Sequence, residues 1–362
     1  MRANPITCDI LFSPDHMRAH ALVRQRRGRL MAFAVGAASL LVLTGLLAIP
    51  LFLLSSLLPW KGLSTSAWQH LGILLSGTLR ATVCAMLVAV PLGIATAMFT
   101  AHFCAARLRA WIKPALEVLD ALPTVVLGLV AFATLAPWLK THVASVLALI
   151  VVIPSLLLAA GFAFGARARG NRWLPLWLLP LLVAVVAIMF AIAAQQPVAL
   201  IVPASPWNAM LVGLVLGFSA LPLVFSLAED ALYLVPREQT QAAFALGATR
   251  WHALMTVLLP AAAPGLLAAA LLGASRCLGE TMIVLMASGN TPVGGVDVLT
   301  GLRSIGADLA LGLPEAAPAS ETWRSLLLAA LVLLVLTVLL GSLADVVRER
   351  LRRHLCADAR TR

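Results

Sequence analysis

The sequence predicts an all-α, polytopic membrane protein of about eight transmembrane helices. Three observations carry that expectation. Of 362 residues, 61% are hydrophobic and only 11% are charged, and the mean hydropathy is +0.99. Those values lie outside the range of soluble globular domains. Eight apolar runs reach the length of roughly 18 residues that a spanning helix needs: 30–58, 71–99, 117–139, 143–165, 173–194, 207–230, 261–287 and 324–346. With the N-terminus placed in the cytoplasm, 20 of the 26 Lys and Arg fall in cytoplasmic segments. This positive-inside bias supports an even number of spans and puts both termini on the cytoplasmic side.

Taken in order, residues 1–29 form a basic cytoplasmic tail with six arginines. Residues 30–69 hold the first helix and a short external loop. The apolar run of that helix is too long for a signal peptide, and no A-x-A-like site follows it, so it is expected to be retained. The second span contains Thr78, Arg80 and Pro91. Glycine and proline are tolerated in membrane helices where neighbours satisfy the freed backbone groups. The third opens with Asp120-Ala-Leu-Pro123-Thr124, where Asp120 and Thr124 suit a helix-start cap or the lining of a path. Spans four and five are joined by a basic turn at 167–172. Span six ends in Glu229-Asp230, expected to meet nearby arginines. A polar segment, 231–259, follows on the cytoplasmic side. Span seven carries Arg276 and Glu280. Residues 288–323 read as a long external loop, and span eight runs into a basic tail at 347–362. Trp60, Trp68, Trp138, Trp207 and Trp323 fall near the predicted interfaces and read as an aromatic belt.

Several function classes are excluded. The net charge of +11 is accounted for by topology, which argues against nucleic-acid binding. Cys8, Cys84, Cys104, Cys277 and Cys356 form no C-x-x-C pair, so neither disulfides nor a thiolate metal site is expected. No H-E-x-x-H pattern or nucleophile constellation occurs, and no cofactor is expected. A P-loop needs a lysine after glycine to reach the phosphates. The lysines are Lys61, Lys113 and Lys140, and none follows a glycine. The chain therefore cannot supply its own ATP-driven motor.

Two motifs carry chemistry. The first is Gln241-Ala242-Ala243, then Gly247, then Leu259-Pro260. It reads as helix, glycine-permitted turn, helix, and a proline at a new helix start. The paired alanines allow another surface to approach closely. At 231–259 the segment is long for a simple connection, since helix connections in bundles usually run about 2–8 residues. The second motif is Gly273-Ala-Ser275-Arg276-Cys277-Leu-Gly279-Glu280-Thr281-Met282. An arginine at membrane depth costs about 2.5–3.5 kcal/mol on insertion scales and should be paired or face a water-filled path. Arg276 and Glu280, four apart, are expected to share a helix face. Guanidinium binds tetrahedral oxyanions bidentately, so the pair reads as an anion path or, alternatively, as a structural ion pair. Arg80 either lines the same path or snorkels from a helix end.

The first motif resembles the "EAA" motif of ABC importer permeases, Glu-Ala-Ala, three residues, Gly, and about a dozen residues to Leu-Pro. Gln241 departs from the Glu of that pattern and loses its charge. The second motif is similar to the permease subunits of the phosphate-specific importer, of the PstC/PstA type, with Cys277 replacing the usual Ala. Further matching stretches are Thr78–Thr82 with Pro91-Leu-Gly93, Leu122–Gly128 and Ala228–Leu232, so the resemblance covers about 70–139 and 207–346. It implies a type I (MetI-like) permease core within residues 70–346, with 143–194 as an inserted helix pair. It also implies an ATPase subunit docked on Gln241, Ala242, Ala243, Gly247, Leu259 and Pro260, a sister permease, and a periplasmic phosphate-binding protein. A substrate path at Arg276, Glu280, Thr281, Arg80 and Thr78 would then pass inorganic phosphate. The alternatives are an ABC permease for sulfate, molybdate or tungstate, and an ion-gradient-driven secondary transporter using Arg276 and Glu280 as a proton relay.

Overall fold

The computed structural model describes residues 14–57, 65–142 and 205–360, apart from positions 296 and 319. Every regular element among them is helical: α1 (Pro14–Leu57), α2 (Thr65–His102), α3 (Ala106–Ala121), α4 (Thr124–Val130), α5 (Ala209–Tyr233), α6 (Arg237–Ala245), α7 (Arg250–Ala253), α8 (Leu259–Gly279), α9 (Met282–Ala287), α10 (Ile305–Gly312) and α11 (Glu321–Arg360). Six helices are long and apolar enough to cross a membrane: Met31–Ser56, Thr65–His102, Thr124–His142, Ala209–Tyr233, Arg250–Gly279 and Glu321–Arg350. They correspond to six of the eight predicted runs. The fourth and fifth runs, 143–165 and 173–194, lie outside the described residues, as do residues 1–13, Trp60 and the turn at 167–172.

The chain divides into two compact units, Met1–Trp60 and Lys61–Arg362. In the first, α1 begins at Pro14, well inside the segment read as a polar tail. From Met31 onward its exposed face is apolar, with Phe33, Leu41 and Val42 all open, as suits a helix surrounded by lipid or by other helices.

The second unit is built around the α2–α5 seam. Lipid supplies no hydrophobic drive to bring helices together, so close packing must do so, and small residues permit it. A side chain at Gly213 would collide with Cys84, one at Gly217 would sit 2.8 Å from the Ala85 carbonyl, and one at Gly93 would sit 2.9 Å from Val224. The seam buries Ala81, Ala85, Ala89, Leu211, Val212 and Leu216. The α8 helix joins it where Gly273 meets Val224 and Met86, and α11 is tied to α8 by the Ser275 hydroxyl donating to the Thr337 carbonyl at 3.1 Å.

Three of the sequence expectations are corrected. The third span does not open at 117. Residues 117–121 belong to the amphipathic α3, which ends before Leu122-Pro123, because proline disfavours helical geometry in the residue before it. The seventh span does not run unbroken over 261–287. Its helix starts at Arg250 and stops at Gly279, and α9 resumes at Met282. The helix of span eight, for its part, continues through the basic segment as far as Arg360.

The third correction concerns 288–323, read as an external loop. It contains α10, with Leu302, Ile305 and Ala307 fully buried. The segment leading into α10 presses on α2 at Gly77, where a side chain would strike the Arg303 carbonyl. Ser304 caps the helix, its hydroxyl accepting from the Ala307 N–H at 3.1 Å, and the Thr78 hydroxyl accepts from the Ile305 N–H at 3.0 Å. The buried Asp308 carboxylate lies 2.9 Å from Arg303 Nε and 3.3 Å from His70 Nε2.

Two π-turns interrupt the spans, at Ala131–Leu135 and Leu254–Leu258. In each the final N–H reaches back five residues, Ala136 to Ala131 and Leu259 to Leu254. Each is followed, one residue further on, by a proline, Pro137 or Pro260. Proline has no N–H and its ring crowds the carbonyl four residues back. Widening the helix one turn earlier relieves that crowding without ending the helix. Pro260 stands in the first turn of α8, as its sequence setting suggested. The π-turn joins α8 without a break to α7, so the span runs Arg250–Gly279.

Candidate functional site

Two helix breaks lie side by side in the second unit. One is at Leu122-Pro123, between α3 and α4, and the other at Glu280-Thr281, between α8 and α9. They are brought together because α9 packs on α4, with Gly128 against Met282 and Met286. Thr281 is also pressed by α10, since a side chain at Gly306 would sit 2.7 Å from its hydroxyl. Backbone groups freed where an apolar helix breaks must be buried in protein or line a water-filled cavity. Interrupted helices of this kind are where membrane transporters place their substrate groups.

Arg276 sits in the last turn of α8, and its Nη1 lies 2.9 Å from Asp120 Oδ1 in the last turn of α3. The two side chains are 34% and 48% exposed, so neither is enclosed by this chain. This replaces two expectations. Asp120 does not cap a helix start: Pro123 precedes α4, and no side chain caps it there. Arg276 and Glu280 do not share a helix face, because Glu280 lies past the end of α8 with extended backbone, φ −74° and ψ 124°. The helix stops at Gly279, which is exposed and has open space around its α-carbon. Glu280 makes no ion pair with Arg276.

The other two residues expected on the path are committed elsewhere. Arg80 is 8% exposed. Its Nη1 donates to the Asp297 carbonyl at 2.9 Å and to Thr300 Oγ1 at 3.3 Å, and its Nη2 donates to the Val293 carbonyl at 2.6 Å. The loop it holds in turn meets the start of α5, where the N–H groups of Ala209 and Met210 donate to the Thr300 and Val298 carbonyls. The Asn208 side chain caps the same helix by accepting from the Leu211 N–H at 2.9 Å. Arg80 is thus a staple for residues 293–300, neither snorkelling nor joined to Arg276. Thr78 is buried under α10.

The segment 231–259 is a helix–turn–helix whose turn follows from local chemistry. The α6 helix ends at Ala245. The Ala248 N–H then donates to the Ala243 carbonyl and the Gly247 N–H to the Phe244 carbonyl. That pairing requires a left-handed residue at Gly247, whose φ is +83°. Two residues on, the Thr249 hydroxyl caps α7 by accepting from the His252 N–H at 3.3 Å. Ala242, Ala243, Gly247, Thr249, His252 and Thr256 line an open groove of about 540 Å³. Leu246 stands at its rim, 89% exposed. Gln241 faces a second cavity of about 530 Å³, with His102, Arg109, Tyr233 and Arg237. Leu259 packs against the base of α5 in the core around Phe225 and Leu232.

The α3 helix was missed as a separate element. It is anchored at the ends of α2 and α5 by Lys113 Nζ, 2.8 Å from the buried Glu229 Oε2, by Arg109 donating to the Thr100 carbonyl, and by Arg109 lying over the Tyr233 ring. Glu229 thus meets a lysine rather than an arginine. The periodic placement of Leu108, Ile112, Leu116 and Leu119 among Arg107, Arg109, Lys113 and Glu117 was the available signal. Trp207 also departs from the aromatic-belt reading. It stacks on Phe132, with ring centroids 5.5 Å apart, and covers Gly289. No cluster of His, Cys, Asp and Glu able to hold a metal occurs among the described residues.

An all-α membrane bundle with broken helices around an arginine, and a helix–turn–helix between two spans, defines a transport permease. Residues 175–353 match the family described as "Binding-protein-dependent transport system inner membrane component". Over that part of its length the chain is similar to multi-pass inner-membrane permeases. It is 28% identical over 337 residues to the phosphate transport system permease protein PstC of Mesorhizobium japonicum, covering 89% of this chain and 87% of that one. It is 25% identical to the probable ABC transporter permease protein YqgH of Bacillus subtilis, covering 74% and 72%. To the phosphate transport system permease protein PstC of Xylella fastidiosa it is 27% identical, covering 76% and 73%. An ABC permease has no need of the proton relay that an ion-gradient-driven carrier would require.

Proposed function

We propose that this chain is a membrane subunit of an ATP-driven importer and passes inorganic phosphate across the inner membrane. The observation that carries the reading is its similarity, over most of its length, to proteins named as phosphate transport system permeases. The chemistry at the helix breaks agrees with it. Arg276 offers a partly exposed guanidinium, suited to a tetrahedral oxyanion. Glu280, just past the helix end, can accept a hydrogen bond from a protonated oxyanion, and the Thr281 hydroxyl adds a neutral partner.

In this reading the Ala242–Ala243–Gly247 groove receives a separate ATPase subunit on the cytoplasmic side, with Leu246 as an apolar anchor. A sister permease completes the membrane path, and a periplasmic binding protein delivers phosphate. Gln241, uncharged, contributes hydrogen bonds to that docking rather than an ion pair. ATP-driven movement of 231–259 reaches Arg276 along the helix Arg250–Gly279.

The test is uptake of labelled phosphate into proteoliposomes holding the full complex, with the binding protein supplied outside and ATP on the ATPase side. Uptake should require ATP and resist excess sulfate. Arg276→Ala should lower it at least tenfold, about 1.4 kcal/mol in the transport barrier, with assembly intact. Sulfate competition at equal concentration would reassign the oxyanion, and full uptake by Arg276→Ala would remove the arginine from the path.

A further inference from the structure

In this structure the half-exposed guanidinium of Arg276 is occupied by Asp120, a carboxylate from a different helix. The contact joins one nitrogen to one oxygen, Nη1 to Oδ1 at 2.9 Å. Arg has five N–H donors in a planar fork, so much of its edge remains open to a second oxyanion. Both partners stand in the last turn of a helix that ends at a break, α3 before Leu122-Pro123 and α8 before Glu280. Neither is locked by burial.

The other ion pairs of the bundle differ. Lys113 pairs with a Glu229 that is 5% exposed, and Arg303 with an Asp308 that is 7% exposed. Each of those keeps a carboxylate buried, where loss of its partner would leave an uncompensated charge. In the Asp120–Arg276 pair neither side chain is buried.

We propose that Asp120 is the resident counter-ion of Arg276, a carboxylate that the permeant oxyanion displaces on arrival and that returns as the anion leaves. The inference rests on the assignment of Arg276 to the anion path. It follows from the cost of an isolated cation at membrane depth. An empty path with Arg276 unpaired is unfavourable, and a permanently bound anion is unproductive. A carboxylate on a neighbouring helix keeps the guanidinium neutralised between passages and competes the substrate off it afterwards. Asp120 is thus a positioning residue that sets how long phosphate stays. It also makes occupancy of the site felt by α3, whose other end is fastened by Arg109 and Lys113 to the ends of α2 and α5.

The experiment uses the full complex in lipid nanodiscs and proteoliposomes, with Asp120→Asn, Asp120→Glu and Arg276→Ala beside the wild type. Three quantities are read: retention of labelled inorganic phosphate at equilibrium without nucleotide, and the kcat and KM of ATP-driven uptake. Asp120→Asn removes the competing charge. Its retention of phosphate should rise about tenfold (about 1.4 kcal/mol), and its kcat should fall with little change in KM. Asp120→Glu, which keeps the carboxylate, should recover most of the lost turnover. Thermal unfolding of each complex separates a structural effect. Wild-type retention and turnover in Asp120→Asn, or a loss that follows only from a destabilised complex, overturns the counter-ion role. Arg276→Ala reports on the underlying assignment by itself: wild-type uptake there rejects the anion path, whatever Asp120→Asn does.

Discussion

Both terminal nitrogens of Arg80 are engaged by loop oxygens more than two hundred residues away in sequence. An intramembrane arginine invites a functional reading, yet this one spends its charge on backbone. Lysine cannot reproduce it, because a single ammonium on a flexible stem lacks the rigid fork that bridges two carbonyls. Arg80→Lys is expected to lower the stability of the permease by about 2 kcal/mol, the scale of a lost hydrogen bond to a charged group. Thermal unfolding of the purified complex and faster proteolysis at 293–300 would show it, with phosphate retention by the folded fraction unchanged. A loss of retention without a loss of stability would return Arg80 to the path. Arg276 makes the opposite choice: its partner is a side chain that can leave.

The elements divide by how local their causes are. The turn at Gly247 follows from nearby residues alone, an αL glycine after a helix end and a threonine cap two positions later. It was legible in the sequence for that reason. Its neighbourhood is open, with nothing within 4 Å of a side chain added at Gly247, so substitution there tests backbone conformation and not packing. Gly247→Val should cost about 1–2 kcal/mol of turn stability and reduce co-purification of the ATPase with the permease. Full co-purification and uptake would sink the docking assignment. The six spans were legible too, because a long apolar run declares itself. The break at Glu280-Thr281 was not. No proline marks it, and Thr281 is held from outside, by Gly306 of α10. The burial of α10 was hidden in the same way, since it depends on Gly77 and Thr78 of a distant helix. The Asp120–Arg276 contact is a third case, joining two helix ends that only the assembled bundle brings near. The Leu122-Pro123 break did have a local signal, the proline itself, but the apolar run across it masked the signal.

For the whole molecule, the charge distribution makes a prediction of its own. An even span count places the two termini on one side of the membrane and residues 288–323 on the other. Cytoplasm-active reporters fused at either terminus should therefore both be active, and Gly294→Cys should react with an impermeant thiol reagent added from the periplasm. Reporters of opposite sense at the two termini would refute the eight-span arrangement. The helix Arg250–Gly279 gives that arrangement mechanical meaning. It is one unbroken piece, passing through a π-turn at 254–258 without stopping. Arg250 follows the Gly247 turn, and Arg276 stands one turn from the other end. At 1.5 Å per residue the two are about 39 Å apart. Such a rod is a lever, and a tilt of about 5° at the turn would carry the guanidinium about 3 Å sideways, the length of one hydrogen bond. A small rocking at the lever's base is thus enough to part a contact held by one nitrogen and one oxygen.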